Sequence, residues 1–203
     1  MTLAKAVEAG HEIVEHFSRV PMACSANEPE IVRRRGEAMT PDASVDDILA
    51  AMRETHPLAL RDHDEERGDA VLEALTCSGT WVMSSLVVAD FYMGRDPVPD
   101  NPRMAYVPLS VRAAWGESDF RRGEQTEEDR REAAEGVAIE YGVFSLAAEA
   151  GGRFLAETDA GYINPFIFHG HSIHDELARY VENGMSPAEA LATATLNPWI
   201  YLD

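Results

Sequence analysis

The chain has 203 residues, 45% of them hydrophobic, and 17 Lys and Arg stand against 36 Asp and Glu for a formal charge of −19. That length and apolar content suffice for one domain with a real core. The acidity argues against nucleic acid and anionic membrane surfaces, which need clustered Lys and Arg, and no apolar run approaches the roughly 20 residues of a membrane span.

Two cysteines, Cys24 and Cys77, make neither a disulfide framework nor a metal-type spacing. With no basic-then-apolar secretion signal at the N-terminus, the expected compartment is reducing and cytoplasmic. No fixed-period repeat and no low-complexity segment interrupts the chain.

Thr2 caps a predicted helix over Leu3–Glu8 that Gly10 ends. A strand follows over His11–Phe17, closed by Glu15 and His16. Residues 18–70 read as loops and helices. Glu28–Met39 is a charged helix with Arg33, Arg34 and Arg35 on a solvated face. Ser44-Val-Asp-Asp47 opens a capping-box-like helix that Pro57 stops. His63–Thr76 is a further helix, with Val71, Leu72 and Leu75 inward.

Thr80–Val88 is nearly continuous in apolar residues and predicts a strand covered on both faces. Residues 90–122, with Pro97, Pro99, Pro102 and Pro108, predict an irregular excursion, a lid or an insertion. Thr126 caps the longest helix, over about 127–150, with Glu127, Glu128 and Asp129 at its positive end. Gly151 and Gly152 stop it.

Arg153–Gly161 then reads as a buried strand turning out into solvent, with Asp159 at the exit and a loop over Tyr162–His171 behind it. Two helices close the chain. The first starts at Ser172 and ends at Asn183-Gly184; the second starts at Ser186, has Pro187 at its first position, and stops at Asn197-Pro198.

Strands alternating with helical crossovers predict an α/β fold with a parallel sheet. In such folds ligands bind at the carboxyl ends of the strands. His16 and Asp159 both fall at such ends, and imidazole with carboxylate suits zinc and similar divalent ions. By its local pattern alone Asp159 reads better as an ordinary turn residue, bonding its own backbone; its place at a strand end shifts the reading toward a ligand or base. His169, His171 and His174 resemble a metal cluster in composition but read better as loop histidines. Ser84, Ser85 and Cys77 show no nucleophile context.

Several segments resemble the metal-dependent amidohydrolase superfamily. Ala6-Val-Glu-Ala-Gly10 with Ile13-Val-Glu-His16 is similar to one strand-end segment, and Leu155-Ala-Glu-Thr-Asp-Ala-Gly161 to the eighth-strand motif. Ser172–Leu177, Gly184–Leu191 and Ala194–Pro198 resemble the helices that follow it. Asn101–Trp115 is similar to an excursion of the imidazolonepropionase- and prolidase-like branch.

The resemblance implies a partial (β/α)8 TIM-type barrel over residues 1–203, roughly the sixth to eighth βα units with helical insertions. It implies His16 as a metal ligand and Asp159 as both ligand and catalytic base. The cofactor it implies is a divalent metal, zinc by preference, and the substrate a small molecule with a non-peptide or dipeptide C–N amide bond. The family's first-strand His-x-His, its bridging Lys or Glu and its fifth-strand His have no counterpart here, and Trp199 stands where a small residue is usual. The expectation is therefore a truncated chain, incompetent alone. The alternative is a non-catalytic or split-barrel fragment that pairs with another chain or with a second copy.

Overall fold

The computed structural model describes residues 1–92, 101–118, 126–161 and 165–203. The fold is mostly helical and α/β-like, with a small parallel sheet of three strands in the order β1-β2-β3. The elements run α1 (Leu3–Glu8), β1 (Ile13–Glu15), α2 (Arg19–Cys24), α3 (Glu28–Ala38), α4 (Val45–Ala59), α5 (Glu65–Ser78), β2 (Trp81–Met83) and α6 (Leu86–Tyr92). A 3-10 turn (Pro102–Tyr106), α7 (Leu109–Ser118), α8 (Glu127–Glu149), β3 (Arg153–Leu155), α9 (Ser172–Glu182), α10 (Pro187–Thr193) and α11 (Leu196–Leu202) complete them. The chain forms two compact units, Met1–Val82 with Gly142–Arg153, and Met83–Tyr141 with Phe154–Asp203. Among the described residues no helix is long and apolar enough to cross a membrane.

The first unit is a helical layer built around Phe17, which is fully buried and meets the Phe144 ring edge-on at 5.5 Å. Ile31 of α3 packs with Met22 and Ala59, so α2, α3 and α4 share one apolar cluster. Glu28 lies inside this unit at 2% exposure. Its carboxylate accepts from the Leu3 N–H at 3.2 Å and pairs with the Arg67 guanidinium. Arg67 also donates Nε–H to the Ala23 carbonyl at 2.7 Å. One ion pair thus ties α1, α3 and α5 together.

Gly79 ends α5 in the left-handed conformation at φ 69°, which lets Thr80 turn into β2 and donate its hydroxyl to the His11 carbonyl at 3.0 Å. A Cβ at Gly79 would sit 3.4 Å from the Arg153 guanidinium, close contact but no clash. Gly79→Ala should therefore cost only the backbone strain, about 1 kcal/mol, read as a small shift in the urea midpoint.

In the second unit Trp115 of α7 is 1% exposed, its ring 5.4 Å from Phe166 and 5.6 Å from Phe168. Val87 of α6 packs on Ile167, with Ala160 and Phe166 beside them. Asn197 donates to the Phe154 carbonyl at 2.9 Å, and the Ala156 N–H donates to the Thr193 carbonyl at 3.0 Å. These bonds hold the exit of β3 against the C-terminal helices.

The predicted helix starts at Thr2, Ser44 and Ser186 all carry their side-chain caps, the last two as full capping boxes. Other expectations change. The predicted strands at 11–17 and 80–88 shorten to three residues each, and Leu86–Val88 belongs to a helix. A short apolar run satisfies a buried strand or a buried helix equally; here a carboxylate from elsewhere in the chain caps the N–H groups of Leu86 and Val87.

Pro57 lies inside α4 rather than ending it, because Leu58 and Ala59 pack on the α2–α3 cluster. Asn197-Pro198 opens α11, in whose first turn proline's missing N–H costs nothing. Arg33 and Arg34 pair with Glu30 on the surface, whereas Arg35 turns in to bond Thr55 at 2.8 Å. Within the expected 90–122 excursion, 101–118 holds the 3-10 turn and α7, while 93–100 and 119–122 lie outside the described residues. So do 162–164 of the predicted loop.

Candidate functional site

His16 follows the last residue of β1. It is half-buried and left-handed at φ 65°, and its carbonyl accepts the Arg19 N–H at 3.2 Å, turning the chain into α2. Asp159 lies four residues beyond β3. It is exposed and also left-handed, at φ 47°. Ser85, two residues beyond β2, has φ 44°. Each strand exit therefore carries a non-glycine residue in a conformation costing about 1–2 kcal/mol. Such strain persists only where surroundings impose it, and it gathers at functional sites. Asp62 and Phe166, the other two such residues described, lie in turns away from strand ends.

The histidines after Asp159 separate. His169 and His174 are exposed, while the His171 ring lies 5.3 Å from the Tyr106 ring. His171 rather than Ser172 is the N-terminal boundary residue of α9, without a side-chain cap; the Ser172 hydroxyl accepts the Phe168 N–H at 2.9 Å instead. Cys77 is exposed, and burial pushes the Cys24 thiol up to about 11, away from an activated thiolate.

A zinc centre with catalytic function takes three protein ligands and leaves one position open. Among the described residues no three His, Cys, Asp or Glu side chains come together in a metal-ion group. His16 and Asp159 alone fall short of that donor set.

A polar cluster that sequence reasoning did not identify lies at the exit of β2 in the second unit. Glu176 of α9 is fully buried, and its two carboxylate oxygens accept the N–H groups of Leu86 at 2.8 Å and Val87 at 2.7 Å. Ser84 donates to the same carboxylate at 3.2 Å and shares a short hydrogen bond with the Tyr180 hydroxyl. Glu140 of α8, 9% exposed, is another buried carboxyl of the second unit.

Burial pushes Glu140 up to about 7, aided by the Glu176 charge. Burial raises Glu176 to about 7 as well, against the pull of its hydrogen bonds. Tyr180 is raised by burial first and by Glu176 second. Around this cluster Asp90 is held by Arg179 and the Tyr141 hydroxyl, and Asp175 by Arg103.

The signal for this cluster was present in the sequence. Ser172, Glu176 and Tyr180 are spaced by four and form the buried stripe of α9, so a glutamate occupies a core position. Glu140 sits likewise between the buried Val137 and Val143. A comparison with known proteins finds no matching family model, no matching curated protein and no matching solved structure.

Proposed function

We propose that this chain is a metal-dependent hydrolase of the amidohydrolase type, acting on amide C–N bonds of small molecules, and that alone it is incompetent. One observation carries the reading: the left-handed His16 and Asp159 at the exits of two strands of a parallel sheet. It is supported by the resemblance of Leu155–Gly161 and of the segments forming α9 and α10 to the eighth barrel unit and its helices. On this reading the sheet corresponds to roughly the sixth to eighth units of a (β/α)8 barrel, His16 and Asp159 are ligands for a divalent ion such as zinc, and Asp159 is the base.

The test is a zinc titration by calorimetry alongside an amidase and dipeptidase assay on the purified chain. Weak zinc binding is expected, weakened at least tenfold in both His16→Ala and Asp159→Ala, with no turnover. Robust turnover overturns the incompetence of the isolated chain, and zinc affinity untouched by both substitutions removes the metal-dependent reading.

A second reading, a non-catalytic fragment that pairs with another chain, is favoured by α11. It buries none of its residues and leaves Leu196, Trp199, Ile200 and Leu202 between 46% and 80% exposed. Contiguous apolar exposure of that kind marks an interaction surface. Light scattering that finds a monomer at all concentrations, with a single cooperative melt, counts against it.

A further inference from the structure

We propose that Arg35 and Arg19 form a binding site for a phosphate group on the first unit. The site stands at one end of the apolar cluster that α2, α3 and α4 share through Met22, Ile31 and Ala59. Arg19 precedes Met22 by three residues, Arg35 follows Ile31 by four, and Thr55 precedes Ala59 by four. Residues three or four apart lie on one helix face, so each polar residue sits one turn from its own helix's part of the cluster. The Arg35 Nε–H donates to the Thr55 hydroxyl at 2.8 Å. With Ile31 and Ala59 in one cluster, that bond runs α3 antiparallel to α4 here. The Arg19 charge acts on Arg35 and so belongs to the same end.

Thr55 holds the guanidinium in one orientation. It is fully buried, and its hydroxyl donates to the Ala51 carbonyl at 2.7 Å while accepting from Arg35. The Nε side of the fork is thereby spent, and the Nη1–Nη2 edge remains. Among the described residues neither that edge nor the exposed Arg19 guanidinium has a carboxylate or carbonyl partner. Other arginines find acids: Arg33 and Arg34 take Glu30, Arg67 takes Glu28, Arg103 takes Asp175, and Arg179 takes Asp90. In a chain with 36 Asp and Glu, two neighbouring cations left without one mark a place for an anion from outside. Burial first, and the Arg19 charge second, lower the Arg35 guanidinium, and no acid acts the other way.

A phosphate group suits this pair better than a carboxylate does. Two of its oxygens accept the paired N–H groups of the Arg35 edge, and its second charge is met by Arg19. A carboxylate would fill the Arg35 edge and leave Arg19 unmatched. The formal charge of −19 opposes any anion at long range, but that field is screened beyond about 8 Å at physiological ionic strength. Binding is therefore decided by the two cations at contact. Arg35 also lies in the last turn of α3, where a cation suits the negative helix end. That role alone would require neither the fork geometry nor Arg19. The site shares no residue with the His16–Asp159 reading, so either can fail alone.

The experiment is calorimetric titration of the full chain with inorganic phosphate at a constant ionic strength of about 0.15 M, with acetate in a parallel arm and melting curves alongside. Saturable one-to-one phosphate binding is expected, with acetate about tenfold weaker. Arg35→Lys keeps the charge and the stem but loses the fork, and is expected to weaken phosphate about tenfold. Arg19→Gln, at an exposed position that the fold does not depend on, is expected to weaken it about threefold. Phosphate should raise the melting temperature of the wild type, and raise it less in both variants. The proposal is overturned by a wild type without saturable binding, by Arg35→Lys and Arg19→Gln that both bind as the wild type does, or by acetate that binds as tightly as phosphate.

Discussion

Glu176→Ala is expected to lower stability by about 3–5 kcal/mol. Two backbone N–H groups at the start of α6 lose their acceptors together, and each buried donor left unsatisfied costs about 1–3 kcal/mol. Ser84 and Tyr180 lose the carboxylate that orders them, and the truncation leaves a cavity beside Tyr180, which is itself fully buried.

Glu176→Gln is the informative companion. Its amide oxygen still accepts one N–H while its NH2 faces the other, so it should cost about half as much. Urea unfolding measures both. An alanine variant within about 1 kcal/mol of the wild type would mean that α6 does not depend on its borrowed cap.

Arg67→Met is expected to cost about 3–5 kcal/mol in the first unit, because it strands the Glu28 carboxylate in the interior. The loss comes from the uncompensated charge more than from the missing attraction, and a double substitution separates the two. In Arg67→Met with Glu28→Gln no charge is buried, and the glutamine oxygen still accepts the Leu3 N–H that Glu28 now holds at 3.2 Å. The double variant should recover most of the lost stability. If both variants unfold at the same denaturant concentration, the cost lies in the Arg67–Ala23 hydrogen bond and in packing, not in the ion pair.

Both substitutions concern residues whose importance was hidden in the linear chain for one reason. A glutamate on a helix is ordinarily solvated, and nothing local separates Glu28 or Glu176 from the many exposed glutamates of so acidic a chain. Periodicity placed Glu176 in line with Ser172 and Tyr180, yet its partners lie about 90 residues earlier, at Ser84, Leu86 and Val87. The same distance explains why the strand expected at 80–88 ends at Met83 and Leu86–Val88 is helical: Glu176 caps the N–H groups of Leu86 and Val87. The reading of Asp159 and His16 as strand-exit residues needed only local signals, and the backbone bears the mark of those exits in their positive φ angles.

What the sequence by itself determined was punctuation. Thr2, Ser44, Thr126 and Ser186 each accept from a backbone N–H three residues on, and Gly79 supplies a left-handed stop; such contacts span less than one helical turn and need no partner from elsewhere in the chain. The tertiary structure alone decided how far the strands run, that α4 continues through Pro57, and which carboxylates are interior. Those outcomes depend on neighbours tens of residues away, and burial converts a side chain that is merely polar in the text into one that must find a partner or hold a proton.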